Sequence, residues 1–315
     1  MKPKVSIVTP LFNEAMGIPR LAQALVQALD KACPSAWEWV AVDDGSGDET
    51  FRIIRREITA APNWQLVRLS RNFGQQAAYR AGLEVARGEA VVFLDADLQD
   101  PPGLIPEMMN LWEKGNFLVV GQRIARPERG VRGFLIGSFH EVFHFLTRGV
   151  IPKNSGTFGL MDRRLVEELK AMPERGLFLP AMRGWLGFPS INLPYERAAR
   201  PDSPKQSYWK LFSYAWEGIT SFSAMPLQLI SLAGFVVSFL GFTYAAILLG
   251  IRVLQLFGYF PDIQVMGFTT LSVAIFCLGG IQLLSLGLVG SYLSKVFQEV
   301  KRRPHFITSE HHHHP

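Results

Sequence analysis

The sequence predicts an α/β domain with a mostly parallel sheet, followed by a helical hairpin that crosses a membrane. Three observations predict it. Short runs rich in β-branched residues alternate with helical stretches over residues 4–123. Those runs are apolar almost throughout, as in sheets covered on both faces. The later part of the chain holds two stretches without a charged residue, between Glu217 and Arg252 and between Asp262 and Lys295.

The elements follow in order. "KVSIVTP" (4–10) reads as a strand and Gly17 to Lys31 as a helix. "WEWVAVDD" (37–44) is the second strand, and Thr50 to Ala60 is helical. "WQLVRLS" (64–70) is the third strand, with a helix from Gln75 to Ala86. "EAVVFLDA" (89–96) and "NFLVVGQR" (116–123) are the fourth and fifth. The domain is expected to span 1–204. Within it, residues 129–149 place Val131, Leu135, Phe139, Val142, Phe143 and Leu146 on one face, flanked by Arg129, Arg132 and Arg148. In 205–224, Tyr208, Leu211, Phe212, Ala215, Ile219 and Phe222 form a second stripe. Both segments are expected to lie on a bilayer surface.

A span needs roughly 20 apolar residues, so 225–257 and 265–295 are read as two transmembrane helices. Their connector is short, so both ends share one side. Lys295, Lys301, Arg302 and Arg303 make that side cytoplasmic. The expected location is the inner membrane, crossed twice, with the catalytic domain in the cytoplasm. Residues 296–315 then form a basic tail. "HHHH" at 311–314 reads as a tag rather than a metal site, and Pro315 leaves a native tail open.

The chain has 315 residues and is 48% hydrophobic, too apolar for an ordinary soluble enzyme of this length. A formal charge of +5 suits nucleic acid, anionic lipid or a phosphorylated substrate. The basic residues cluster beside apolar helices rather than aromatic stacking platforms, which sets nucleic acid aside. Cys33 and Cys277 imply no disulfide scaffold, because Cys277 lies in an apolar run. "MKPKVSIVTPLFNEA" carries no signal peptide.

Ligands of open parallel sheets bind beyond the carboxyl ends of the strands. Four polar clusters fall there: Asn13–Glu14, Asp43–Asp44, "SRNFG" (70–74) and Asp95–Ala96–Asp97. Two residues apart, Asp95 and Asp97 would share a face of a regular strand. A divalent cation best relieves such crowding. Mg²⁺ or Mn²⁺ takes oxygen ligands, and Gln99 can add a carbonyl. There is no Walker A lysine motif, and Gly45–Gly47 lacks the dinucleotide fingerprint.

In order and spacing, "SIVTPLFNE", "VAVDDGSGDET", "VRLSRNFGQQAAYRAGLEVARGEAVVFLDADLQDPPGLIPEM" and "VVGQR" resemble family-2 glycosyltransferases of the GT-A fold. The nearest branch is similar to the polyprenyl-phosphate glycosyltransferases, relatives of dolichol-phosphate mannose synthase. The bacterial type with two C-terminal transmembrane helices fits best. The resemblance implies inverting transfer of a sugar from a nucleoside diphosphate to a polyprenol phosphate such as undecaprenyl phosphate. It assigns Pro10, Phe12, Glu14, Asp43 or Asp44, Asp95 and Ala96 to the nucleotide. Asp95, Asp97 and Gln99 are assigned to the metal. Asp97 and Arg123 are expected to be catalytic, and Arg123, Arg132, Arg200 and Ser207 to meet the diphosphate or the acceptor phosphate.

One segment departs from the family. Where relatives carry D-x-G-D-F-R-L, "NSGTFGLMD" (154–162) has Asn154, Thr157 and Gly159, and Asp162 lies further along. The missing acid is a candidate base. A phosphate monoester, with a second pKa of about 6, is already nucleophilic and needs none, so Thr157 is not expected to act as one. Two other readings compete: a catalytically retired lipid-binding scaffold, and a processive polysaccharide synthase. "MRGWLG" (182–187) does not supply the Q-x-x-R-W of the latter. Small residues Gly279, Gly280, Gly287 and Gly290 offer a packing face for a homo-oligomer.

Overall fold

The computed structural model describes residues 2–60, 63–124, 155–174, 179–196, 225–259 and 267–313. The two expected surface helices, 129–149 and 205–224, lie outside the described residues.

Among the described residues eight strands form one sheet. These are β1 (Val5–Leu11), β2 (Trp37–Asp43), β3 (Trp64–Leu69), β4 (Ala90–Phe93), β5 (Leu118–Arg123), β6 (Ser155–Asp162), β7 (Ser190–Tyr195) and β8 (Thr308–His313). Their order is β7-β5-β6-β4-β1-β2-β3-β8. The run β4-β1-β2-β3 is parallel, as is the β5–β7 pair. β6 runs antiparallel between β4 and β5, and β8 runs antiparallel to β3. The fold is GT-A-like, with a mostly parallel sheet.

β1 and β2 are buried along nearly their whole length because helices cover both faces. The helices of this part are α1 (Ile18–Leu29), α2 (Thr50–Ala60), α3 (Gln75–Val85), α4 (Ile105–Glu113), α5 (Arg163–Ala171) and α6 (Leu179–Trp185). In α1, Ile18, Leu21, Ala22, Leu25 and Leu29 fall on one stripe. They join Ile7, Trp39, Leu66 and Val92 in the main core, with Ile54 of α2 and Met108 of α4. Alternate strand residues face the other side, where α3 packs on β1 and β2. Fully buried Glu38 inside β2 is satisfied by Ser6 Oγ (2.6 Å), Gln65 Nε2 (2.9 Å) and Arg87 Nε (3.0 Å). A buried carboxylate persists only with such partners.

The structure sharpens the sequence reading at three places. β4 ends at Phe93, so strand alternation does not place Asp95 and Asp97. β6, beyond the five strands read from the sequence, lies between β4 and β5. Residues 308–313, within the expected basic tail, form a strand that pairs with β3 from Gln65↔His313 to Leu69↔Thr308, with an irregularity at Arg68/Leu69.

Two compact units divide the chain, residues 1–212 with 302–315, and residues 213–301. The second contains α7 (Met225–Leu256) and α8 (Phe268–Val300). Pro226–Ile251 and Leu278–Val300 are long and apolar enough to cross a membrane, with mean hydropathy 2.1 and 1.2. Phe235, Phe239, Phe242, Leu283 and Leu284 among them are more than 60% exposed.

Candidate active site

The carboxyl ends of β1, β2, β3 and β4 surround one cleft of about 390 Å³. Pro10, Phe12, Glu14, Asp44, Asn72, Gly74, Gln75, Asp95, Ala96 and Asp97 line it. All four polar clusters read from the sequence therefore reach this cleft or its walls.

One wall is built where the loops after β2 and β3 cross. Gly45 has φ +70°, and a Cβ there would lie 2.5 Å from the Arg71 carbonyl carbon. Only glycine admits both the conformation and the approach. Asp44 then grips the second loop: its two carboxylate oxygens accept the N–H groups of Phe73 (2.8 Å) and Gly74 (2.9 Å). Burial raises the Asp44 pKa, against the lowering effect of those two N–H groups. Asp43 has another task. Fully buried, it accepts from Ser46 N–H (3.1 Å) and lies 3.3 Å from Arg68 Nε. Of the two candidates, Asp44 lines the cleft and Asp43 does not. The loop after β1 is tied to the same wall. Asn13 N–H donates to Ser46 Oγ (3.0 Å), and Glu14 N–H to Thr50 Oγ1 (2.9 Å).

The loop after β4 sorts its carboxylates differently. Asp95 Oδ1 accepts from Gln75 Nε2 and from the Tyr79 hydroxyl, both at 2.6 Å. Burial is the largest influence on Asp95 and raises its pKa, with Asp100 and Asp97 adding to the rise. Tyr79 is held well above the usual tyrosine range by burial and by the Asp95 charge. Asp97 lines the cleft and accepts Gln99 N–H through Oδ1 (3.1 Å). Leu98 between them has φ +56°, a costly conformation for a bulky residue. Its side chain packs against the core, which holds the turn in place. Gln99 itself is not on the cleft lining.

Asp100 turns inward and is fully buried. It accepts a hydrogen bond from the Tyr195 hydroxyl and lies 3.6 Å from an Arg123 terminal nitrogen. Burial, reinforced by Asp100, pushes Tyr195 up to about 12. For Arg123, burial opposes the charge, yet Tyr195 and Asp100 outweigh it and raise the pKa. The Arg123 guanidinium covers Gly156, where a Cβ would stand 2.8 Å from it. On β6, buried Arg183 donates to the carbonyls of Gly156 (2.7 Å) and Thr157 (3.0 Å), and burial lowers its pKa to about 10. Asp162 ends β6, capping α5 through Arg164 N–H (2.9 Å) and accepting from Trp112 Nε1 (2.7 Å). Its work is structural.

Sequence reasoning missed Gln75, Tyr79, Asp100, Tyr195 and Arg183 as parts of this neighbourhood. Asp100 carried a signal, since a third acid so near Asp95 and Asp97 demands a partner. Tyr195 and Arg183 come from distant segments and carried none. Arg132, Arg200, Ser207 and Asn154 lie outside the described residues.

Asp95 and Asp97 fit a hard cation, because both carboxylates line one cleft and a cation there would offset the burial, and then the neighbouring charge, that raise the Asp95 pKa. Among the described residues no three of His, Cys, Asp or Glu gather closely enough to hold a metal ion. A cation here would depend on one or two carboxylates and on ligand oxygens, as is usual for Mg²⁺ at phosphates.

Residues 6–170 match glycosyl transferase family 2, and the chain belongs to that family. It is a glycosyltransferase. It is 37% identical over 309 residues to an uncharacterized glycosyltransferase of Synechocystis, covering 98% of this chain and 95% of that one. It is 36% identical over 311 residues to the bactoprenol glucosyl transferase of Shigella phage SfII, covering 98% of each. A prophage bactoprenol glucosyl transferase homolog of Escherichia coli is 35% identical over 306 residues, covering 96% of this chain and 98% of that one.

Proposed function

We propose that this enzyme moves a hexose from a nucleotide sugar, most simply UDP-linked, to the phosphate of a polyprenol at the cytoplasmic face of the inner membrane. The observation that carries the reading is the acidic cleft lined by Asp95 and Asp97 in a chain alike, end to end, to bactoprenol glucosyl transferases. The two apolar helices support it. They are long enough to span, and their large side chains are exposed rather than packed, which calls for a non-aqueous cover.

In this reading the base lies against Phe12, which is 46% exposed on the cleft lining. Asp44 holds the Asn72–Gly74 wall, and Glu14 lies near the ribose. A lipid-phosphate oxygen attacks the anomeric carbon opposite the diphosphate. A C–O bond to the lipid phosphate forms as the C–O bond to the diphosphate breaks, with inversion. Asp95 and Asp97 would hold Mg²⁺ or Mn²⁺, with Gln99 close by, and the bound cation would supply Lewis-acid stabilisation of the leaving diphosphate. Arg123, fixed by Asp100 and Tyr195, offers a permanent positive charge to a phosphate. Arg132, Arg200 and Ser207 are further phosphate contacts in this proposal. The acceptor is a dianion near neutrality, so positioning replaces a general base.

The test is a donor screen. Purified protein is incubated with labelled UDP- and GDP-sugars, Mn²⁺ or Mg²⁺, and undecaprenyl phosphate. Lipid-extractable label from one donor is expected, and none from any donor, with tight lipid binding retained, would make the chain a scaffold.

A further inference from the structure

We infer that the C-terminal strand β8 is a working part of the donor cleft, bracing both loops of its wall. This rests on the nucleotide reading above. Two separate routes lead from the strand to the cleft. The first is through the backbone. Ser70, the residue that opens the "SRNFG" loop, donates its N–H to the Ile307 carbonyl (2.8 Å). Ser309 Oγ donates to the Arg68 carbonyl (3.1 Å) just before it. The far end of that loop is the Phe73–Gly74 pair gripped by Asp44. So the loop is held at one end by Ile307, the residue that leads into β8, and at the other by Asp44.

The second route is electrostatic. Glu310 Oε1 lies 3.4 Å from Arg68 NH1, and Arg68 Nε lies 3.3 Å from buried Asp43. The Arg68 guanidinium also lies over the Phe51 ring, 4.3 Å from its centroid. Asp43 in turn accepts Ser46 N–H, and Ser46 Oγ accepts Asn13 N–H between Phe12 and Glu14. Glu310 holds one terminal nitrogen of Arg68 while Nε faces the fully buried Asp43, so a cation at position 310 would push the guanidinium from this position, and a buried charge that loses its partner is costly. The bracing contacts come from Ile307, Ser309 and Glu310, upstream of the histidines. β8 joins Lys301, the last residue of the other unit, through a short connection. Strand docking thus supplies a point at which the donor site depends on the far end of the chain.

The experiment measures UDP affinity by calorimetry in Mn²⁺ for the full chain, for a chain ending at Pro304, and for Glu310→Lys in the full chain. A full chain that binds no UDP defeats the nucleotide reading itself. Given binding by the full chain, the shortened chain is expected to lose affinity by roughly three- to tenfold, the range one net hydrogen bond is worth. A synthetic peptide of residues 304–315, added in trans, is expected to restore it saturably. Glu310→Lys sets a cation against Arg68 and is expected to weaken UDP by about threefold, with the donor KM rising more than kcat falls. A strand that only stabilises the fold would lower the melting temperature and leave UDP affinity unchanged, and that result overturns the inference. If the shortened chain does not fold, Glu310→Lys decides alone: full-chain affinity in that variant overturns it.

Discussion

Two acidic loops flank the cleft, and they treat the same residue type in opposite ways. After β2, Asp43 and Asp44 are committed to the protein. One faces Arg68 and the Ser46 amide, and the other holds the Phe73 and Gly74 amides. After β4, Asp100 is committed likewise, to Tyr195 and Arg123. Asp95 and Asp97 lie on the cleft lining as Asp44 does, but Asp95 meets two side-chain donors and Asp97 a single amide, with neither an ion-paired arginine nor a pair of wall amides shown on them. A carboxylate at a strand end is thus an ambiguous sign. What separates wall from ligand site is whether the fold brings a cation or a pair of amides to it.

The largest expected effect tests the ligand side of that contrast. Asp97→Ala or Asp95→Ala should lower metal-dependent transfer by at least roughly 10²–10³-fold, measured in the lipid-extraction assay, with the melting temperature little changed in Asp97→Ala. Near-normal rates in both would remove the metal assignment. Asp44→Ala tests the wall. It strands two partly buried N–H groups at about 1–3 kcal/mol each, so chemical denaturation should show a stability loss and the donor KM should rise. A catalytic defect at full stability would erase the distinction between the loops.

Tyr195 sharpens the account of Asp100 through pH. The ordinary tyrosine value is 10.0, and the folded protein holds Tyr195 at about 12. Folding therefore keeps the proton on. The stabilisation is fully present below pH 10 and is lost as pH rises from about 10 to about 12. Tyr195→Phe should flatten the stability profile in that alkaline window, followed by denaturation at stepped pH, and an unchanged profile would contradict the assignment. Thr157→Ala should have the smallest effect. Thr157 offers its backbone carbonyl to Arg183, which alanine also supplies, so most of the activity should survive. A collapse in kcat with donor binding intact would make Thr157 a participant.

Much of this was legible in the sequence because apolar runs and turn residues are local signals. The strands through residue 123 and the three helices α1 to α3 fall within a few residues of their expected bounds, β4 being the shortest against expectation, while α4 was not read from the sequence. The cleft clusters were legible because parallel strands put their carboxyl ends together. Partnership was not legible. Nothing in "VDDG" says that Asp43 meets Arg68 across the sheet, or that Tyr195 reaches Asp100 over 95 residues. Strand order was hidden for the same reason, since β6 inserts antiparallel between β4 and β5. β8 was hidden by its composition: Thr308–His313 is polar, as an edge strand is free to be, and its run of histidines resembles an appendage.

The most direct measurement is a calorimetric titration of UDP, with and without Mn²⁺, into the full chain, Asp97→Ala and Asp44→Asn. Asp97→Ala should lose the Mn²⁺-dependent gain in UDP affinity. Asp44→Asn should bind UDP more weakly yet keep that gain. An unchanged Mn²⁺ gain in Asp97→Ala, or its loss in Asp44→Asn alone, would contradict the division between ligand loop and wall loop.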